Sequence, residues 1–165
     1  MGLDMYLSAR KYINKVDWNK LHSDTNMKYS EAILPEYANV ISAAGLETID
    51  NQEDVYGAQV QVNVAYWRKS NQIHNWFVDN VQKGEDDCGE YYVSREKLNN
   101  LLSTCQEALK KKDPSLLPPV EGFFFGGTDI DEWYWSDIKE TISKLKRVVD
   151  LPDFEDLTFY YQSSW

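Results

Sequence analysis

The stretch from Trp67 to His74 carries residue types suited to binding an anionic ligand. Trp67, Arg68 and Lys69 end a predicted strand, and His74 lies within the first turns of the predicted helix that follows. Free amides at a helix N-terminus favour negative charge, an arginine can bind a phosphate or carboxylate through two parallel hydrogen bonds, and tryptophan can stack on a ring. This arrangement predicts a pocket for a nucleotide-like or other small anion. In the alternative interpretation, Trp67 and Trp76 belong to the core and Arg68 pairs with one of the many acids.

His74 could also meet the acidic loop that contains Asp86, Asp87 and Cys88. Imidazole, carboxylate and thiolate all bind zinc, and a thiolate beside a histidine can act as a nucleophile. The spacing matches no standard motif, and the sequence has no phosphate-binding loop, nucleophile elbow or Cys-x-x-Cys pair. We therefore expect no catalytic residue, no metal ligand and no cofactor.

An acidic and aromatic stretch predicts a surface for a partner protein. Residues 121–165 contain ten acidic and four basic residues, together with 11 of the 23 aromatic residues of the chain. Aromatic anchors and acids that steer association suit a basic partner. In the alternative interpretation, half of these aromatic residues close the core over the sheet. The residues predicted to bind the partner are Phe125, Asp129, Asp131, Glu132, Trp133 and Tyr134.

The segment over residues 158–165 predicts a final strand that is rich in aromatic, amide and hydroxyl groups. Gln162 and Ser163 could reach a pocket from this strand, and the alternative is that the segment only closes the sheet. The complete set of predicted ligand-binding residues is Trp67, Arg68, His74, Tyr92, Gln162 and Ser163.

Alternating hydrophobic residues predict two long strands. Leu3, Met5 and Leu7 recur at every second position, which predicts a strand over residues 2–12 with one buried face. In the segment Val55–Tyr66, valines alternate with polar residues in the same way. Both strands are therefore expected to lie in a sheet whose two faces differ.

Apolar residues spaced three and four apart predict three amphipathic helices. Ser70 or Asn71 is expected to cap the first helix by accepting a hydrogen bond, and Gly84 is expected to end it. The predicted helices cover residues 70–82, run from the cap Ser94 to Lys112, and cover residues 131–149.

The remaining segments are shorter or less regular. Tyr91–Val93 predicts a short extended piece, and Phe123–Phe125 predicts a strand that ends in a sharp turn. Residues 14–37 predict a long excursion with a short helical turn, and residues 38–49 are ambiguous.

Strands and helices in this mixed order predict an α+β fold, with a mostly antiparallel sheet and about three helices packed on one face. The length of 165 residues predicts one domain over residues 1–165, in which residues 14–54 form a variable excursion.

The formal net charge of −10 argues against direct binding of nucleic acid and against anionic membrane surfaces. The two cysteines form no disulfide framework, which favours a reducing compartment. We see neither a signal peptide nor a membrane span in the sequence. The expected location is the cytoplasm, and the oligomeric state stays open.

Several unusual motifs occur together in this chain. The sequence opens Met-Gly-Leu-Asp-Met-Tyr-Leu, continues through Tyr66–Lys69 and includes the segment Tyr160–Trp165. With these motifs the chain resembles an uncharacterised family of small bacteriophage and prophage proteins, along nearly its whole length except residues 14–54. The resemblance implies an origin more than a chemistry. Further motifs that carry it are Asn71 to Phe77, Asp87-Cys88, Tyr92-Val93-Ser94, Phe123 to Gly126 and Glu132-Trp133-Tyr134.

Two functions follow as hypotheses. The first is a phage-encoded, non-enzymatic binding protein that modulates a host protein or a host defence system by stoichiometric contact in the host cytoplasm. A variant of it is DNA mimicry, in which spaced carboxylates stand in for phosphates. The second is a protein that binds or sequesters a small nucleotide-like anion, or an enzyme of modest activity on such a ligand.

Overall fold

The computed structural model describes residues 2–49 and 54–165. Within these residues the chain forms four strands, five α-helices and three short 3-10 turns. The strands are β1 (Asp4–Asn14), β2 (Gly57–Arg68), β3 (Glu90–Val93) and β4 (Thr158–Ser164). The helices are α1 (Trp18–Ser23), α2 (Pro35–Ala44), α3 (Asn71–Asn80), α4 (Arg95–Lys111) and α5 (Glu132–Val149). The 3-10 turns are Tyr29–Glu31, Pro114–Leu116 and Phe154–Asp156.

The four strands form one antiparallel sheet in the order β2-β1-β4-β3. Strand β4 pairs with β3 in a register that places Tyr92 opposite Tyr160 and Glu90 opposite Gln162. The predicted α+β class is therefore confirmed, and the helices are somewhat more numerous than predicted.

The described chain divides into two compact units, one formed by residues 1–9 and 62–165 and the other by residues 10–61. The organisation of residues 1–165 as a single domain stays a prediction.

The larger unit buries one face of its strands under α3, α4 and α5. Residues at alternate positions of β1 are fully buried, as the period-two pattern predicts. Helices α4 and α5 pack against each other. Trp67 at the end of β2 donates from Nε1 to Oγ1 of Thr141 in α5, at 2.9 Å. The largest buried side chains of the unit include Leu3, Met5, Leu7, Ile73, Phe77, Leu98, Leu101, Ile138, Phe159 and Tyr161.

Side-chain caps fix where the two long helices begin. Ser94 Oγ accepts from the amide of Lys97 at the start of α4, which confirms the predicted cap. Asp131 accepts from the amides of Trp133 and Tyr134 at the start of α5. These bonds satisfy amides that have no partner within the helix.

The start of α3 differs from the prediction. Ser70 occupies the cap position, but its side chain makes no capping hydrogen bond. The side chain of Asn71 bonds instead to a distant segment of the chain. The helix ends at Asn80, with Val81 as its C-cap, before the predicted end at Gly84.

The predicted strand over Phe123–Phe125 is wrong. These residues form a turn closed by a hydrogen bond from the amide of Phe125 to the carbonyl of Gly122, at 3.1 Å. The two strand segments near residues 91–93 and 158–165 are confirmed as β3 and β4.

The smaller unit contains α1, α2 and the 3-10 turn between them. Pro35 opens α2, where its fixed φ suits a first helical position. Gly45 follows the helix with φ of 68°, a left-handed conformation that glycine adopts at low cost. Tyr37 and Val16 are almost fully buried within this unit. Most of α2 therefore lies in the segment over residues 38–49, whose structure the sequence left ambiguous. Throughout the described residues, we find no helix with the length and apolar character needed to cross a membrane.

Candidate functional site

Residues 117–131 connect the 3-10 turn after α4 to α5 and form neither helix nor strand. We call these residues the connecting segment. The buried side chain of Asn71 holds it in three places: Nδ2 donates to the carbonyls of Phe125 (3.3 Å) and Gly127 (2.9 Å), and Oδ1 accepts from the amide of Val120 (3.3 Å). The amide of Leu3 also donates to the carbonyl of Phe124 at 3.1 Å. The segment is therefore fixed without regular secondary structure.

One side of the connecting segment closes an apolar cavity of about 420 Å³, which we call the aromatic pocket. Three consecutive phenylalanines and Trp165 supply its rings, and Val78 and Val120 add aliphatic walls. The polar groups at its edge are His74, Asn75, Asp86 and Glu121. Such a lining, mostly apolar with few convergent polar groups, is typical of ligand sites.

A chain of hydrogen bonds lies at the polar end of the aromatic pocket. Trp165 Nε1 donates to Asp86 Oδ1 at 3.2 Å, and Asp86 Oδ2 lies 2.9 Å from Nε2 of His74. His74 Nδ1 lies 2.7 Å from the hydroxyl of Tyr161. The ring of Tyr161 stacks on Phe77 with centroids 3.9 Å apart.

The partners of His74 indicate which ring nitrogen carries the proton. A carboxylate only accepts, so Nε2 donates to Asp86. Burial raises the pKa of Tyr161 well above its ordinary value, and the nearby Asp86 acts in the same direction. The hydroxyl therefore keeps its proton and forms a hydrogen bond with Nδ1.

The other side of the connecting segment borders a cavity of about 400 Å³, which we call the charged cleft. Arg68 and Lys69 at the end of β2 bring positive charge to it. Three carboxylates and the ring of Trp133 line the same cavity. The cleft is thus mixed in charge, and the acidic members are Asp129, Asp131 and Asp137.

One acid of the charged cleft, Asp137, is partly buried. Burial raises the pKa of Asp137, although hydrogen bonds with Ser70 and Gln72 oppose the shift.

The two basic residues of the charged cleft follow directly after one another at the end of β2. Lys69 adopts a left-handed backbone with φ of 58°, a conformation that is uncommon for a residue with a side chain. Arg68 is largely exposed, and its Nε lies 4.0 Å from Asp4.

A shallow depression joins the two cavities across the connecting segment. It shares Glu121, Gly122 and Phe123 with the aromatic pocket, and Gly126 and Gly127 with the charged cleft. The connecting segment is therefore the common wall of one continuous surface.

The predicted ligand-binding residues lie in several different places. Arg68 lines the charged cleft and His74 lines the aromatic pocket. Trp67 and Ser163 are buried, and Trp67 is engaged with α5. The other two lie at exposed positions of β3 and β4: Tyr92, which is 56% exposed, and Gln162, whose Nε2 donates to the carbonyl of Cys88.

The predicted partner-binding residues all lie in or just after the connecting segment. Asp129, Glu132 and Trp133 are exposed, whereas Phe125 and Tyr134 are buried. The Tyr134 hydroxyl donates to the carbonyl of Leu117 at 2.8 Å, so this residue anchors the segment from beneath. Asp131 caps α5 and also borders the charged cleft.

Three parts of the site were not predicted from the sequence. Asn71 was expected to cap a helix, and no local pattern shows that its amide reaches residues about fifty positions away. Trp165 and Asp86 were not expected to meet. The exposed Phe123 was hidden within an aromatic run that is typical of a strand.

Of the residues weighed as metal ligands and then not expected to bind one, His74 and Asp86 meet, while Asp87 accepts from the amide of Gly89 and the hydroxyl of Tyr91. These two hydrogen bonds lower the pKa of Asp87. In residues 2–49 and 54–165 we find no group of three or more His, Cys, Asp or Glu side chains placed to hold a metal ion.

Comparisons with protein-family models, with curated proteins and with solved structures found no match for this chain.

Proposed function

We propose that this chain is a binding protein that engages a basic surface of a partner protein through the connecting segment and the start of α5. The contact is stoichiometric and needs no chemical step. The observation that carries the proposal is the exposure of two large aromatic rings, Phe123 on the fixed connecting segment and Trp133 in the first turn of α5.

Phe123 is 94% exposed and Trp133 is 79% exposed, the two highest values among the exposed large hydrophobic residues described. Exposed apolar rings that are rimmed by polar groups mark interaction surfaces. The rings need little further ordering, because Asn71 and Leu3 hold the backbone of the connecting segment and Asp131 accepts from the amide of Trp133 at the start of α5. Such pre-organisation reduces the entropy lost on association.

The charge of this region favours a basic partner. No lysine or arginine occurs between Lys112 and Lys139, and six acidic residues fall within this stretch. Complementary charge speeds association and weakens as salt is added. The acids in question are Asp113, Glu121, Asp129, Asp131, Glu132 and Asp137.

The resemblance to phage and prophage proteins supports a bacterial host protein, or a component of host defence, as the partner, met in the host cytoplasm. A small anionic ligand at Arg68 is less well supported, because three carboxylates line the same cleft and would repel the anion.

The test is capture of a partner from bacterial lysate by the immobilised full chain. Three proteins are compared: the wild type, the double variant Phe123→Ala/Trp133→Ala, and the control Tyr56→Ala/Tyr92→Ala. The control removes the rings of Tyr56 (58% exposed) and Tyr92 (56% exposed), which lie outside both the connecting segment and the start of α5. All three are compared at low and high salt.

The expected result is a protein that the wild type and the control retain at low salt, that the Phe123/Trp133 variant loses, and that high salt releases. Equal capture by the Phe123/Trp133 variant contradicts the proposal. So does the lack of any protein that depends on these two rings.

A further inference from the structure

We propose that the aromatic pocket binds one cationic group, an alkylammonium or a guanidinium. This assignment rests on the proposed function: the cationic group is the side chain of a lysine or arginine in the basic partner. The aromatic pocket would thus bind one defined chemical group of the basic partner.

The rings of the aromatic pocket meet at steep angles, so their faces point in different directions. Phe123 and Phe124 have centroids 4.7 Å apart and an interplanar angle of 89°, and Phe125 and Trp165 are 6.0 Å apart at 69°. Cations are attracted to the electron-rich faces of such rings, and clusters of rings in this arrangement recognise ammonium groups. The ring geometry therefore favours a positively charged group over a neutral one.

The charges at the edge of the aromatic pocket have the matching sign. Asp86 and Glu121 contribute two carboxylates, and none of the described residues that line the pocket is a lysine or arginine. His74 Nε2 lies 2.9 Å from Asp86 Oδ2, so this imidazole is already paired with the carboxylate. An anionic ligand would be repelled here.

Asp86 is held in place before any ligand arrives. Its two oxygens accept from Trp165 and His74, and its side chain is 25% exposed. Each carboxylate oxygen can accept more than one hydrogen bond, so both can still accept from a cation in the pocket. A neutral apolar ligand would instead displace water from the exposed part of this carboxylate without replacing the lost hydrogen bonds, which costs free energy.

The size of the cavity suits one long side chain. At about 420 Å³ it lies near the lower end of the range for small-molecule sites. The shallow depression beside Phe123 opens the aromatic pocket toward the rest of the connecting segment, which leaves a path for the backbone that would carry a lysine or arginine.

The experiment follows the indole Nε1–H signal of Trp165 by nuclear magnetic resonance, with the signal assigned by Trp165→Phe. The probes are the N-acetyl methylamides of lysine, arginine and norleucine, together with n-butylammonium. Norleucine keeps the length of lysine without its charge. We expect the lysine or arginine probe to shift the signal saturably and to bind at least about fivefold more tightly than norleucine.

Charge variants locate the binding. Glu121→Gln and Asp86→Asn are each expected to weaken the cationic probes at least threefold, whereas Glu85→Gln, an exposed neighbour outside the pocket lining, leaves them within about twofold. Glu121 is exposed, so its variant keeps the test decisive if Asp86→Asn disturbs the fold. Equal binding of norleucine, or no shift from any cation, overturns the inference.

The set of probes distinguishes two sources of the cation. The Trp133→Ala variant distinguishes cation binding in the aromatic pocket from the proposed function. Tighter binding of the lysine or arginine probe supports a protein side chain, and equal binding of n-butylammonium supports a free small amine as the same chemistry. Trp133 does not line the aromatic pocket. Partner capture that survives Trp133→Ala would therefore count against the proposed surface while cation binding stands.

Discussion

The Nδ2 atom of Asn71 lies 2.9 Å from the carbonyl oxygen of Gly127, and this contact ties the first turn of α3 to the connecting segment. The same amide group makes two further hydrogen bonds to that segment, with Phe125 and Val120. One buried side chain therefore determines the position of the wall that the two cavities share.

Replacement of Asn71 by alanine is expected to lower the free energy of unfolding by about 2–4 kcal/mol, because three backbone groups lose their partner and some become buried without one. Urea denaturation measures this change. The control is Asn99→Ala, which removes a single hydrogen bond on the exposed side of α4 and should change stability by less than about 0.5 kcal/mol. Similar effects from the two variants would show that the connecting segment is not held by Asn71.

Replacement of Tyr161 by phenylalanine is expected to lower the free energy of unfolding by about 1–2 kcal/mol, since Nδ1 of the buried His74 loses its hydrogen-bond partner. Tyr92→Phe is the matched control, because its hydroxyl lies on an exposed side chain. Chemical denaturation of both variants at neutral pH provides the comparison. A stability equal to that of the wild type would mean that another group replaces the lost hydroxyl.

Alkaline conditions are expected to destabilise the fold, starting near pH 9. Burial raises the pKa of Cys105 from 9.0 to about 12 and that of Tyr134 from 10.0 to about 12. The folded state therefore holds these protons more tightly than the unfolded state. The stabilisation is complete below the unfolded pKa values and is lost as pH rises toward 12, by up to about 1.4 kcal/mol per pH unit for each proton released.

Denaturation curves between pH 8 and pH 11 measure this dependence. Cys105→Ala is expected to flatten the decline between pH 9 and pH 10, whatever its effect on stability at neutral pH. A slope that is unchanged in this variant would show that the thiol does not contribute.

Thiol labelling should distinguish the two cysteines. Cys105 is fully buried, whereas Cys88 is partly exposed in the loop that precedes β3. Iodoacetamide is expected to modify only Cys88 in the native protein and both residues in urea, since reaction requires an accessible thiolate. Mass spectrometry of the Cys88→Ser variant checks the assignment, and native labelling of that variant would contradict it.

Hydrophobic spacing predicted the elements that bury a regular stripe. Strand β1 and helices α3, α4 and α5 bury apolar residues at the required period, and Ser94 and Asp131 cap α4 and α5. Strand β2 forms where the alternating valines predict it, but Val62 is 56% exposed and the buried residues are Ala65 and Trp67 on the other face. Helix α2 was left ambiguous because it buries only Tyr37 and Ile41, which gives a weak pattern.

The connecting segment could not be predicted from local propensity. Three consecutive phenylalanines are typical of a strand, but the carbonyls that a strand would offer to a neighbour are taken by Asn71 and Leu3. A tertiary contact thus overrides the local preference. The contact between Trp165 and Asp86 was not predicted either, because the two residues are 79 positions apart in the sequence.

Strand β4 pairs on both sides, with β1 on one and β3 on the other. The Ser8 hydroxyl reaches the carbonyl of Tyr160, 152 positions later in the sequence. During translation, β1 is therefore synthesised long before its neighbour β4. The edge of β1 that pairs with β4 stays unpaired until residues near 160 have been made. Pairing over such separations is slow, and an exposed edge can pair with other chains. Expression yield should therefore depend on the rate of translation and on chaperones that shield the early strand.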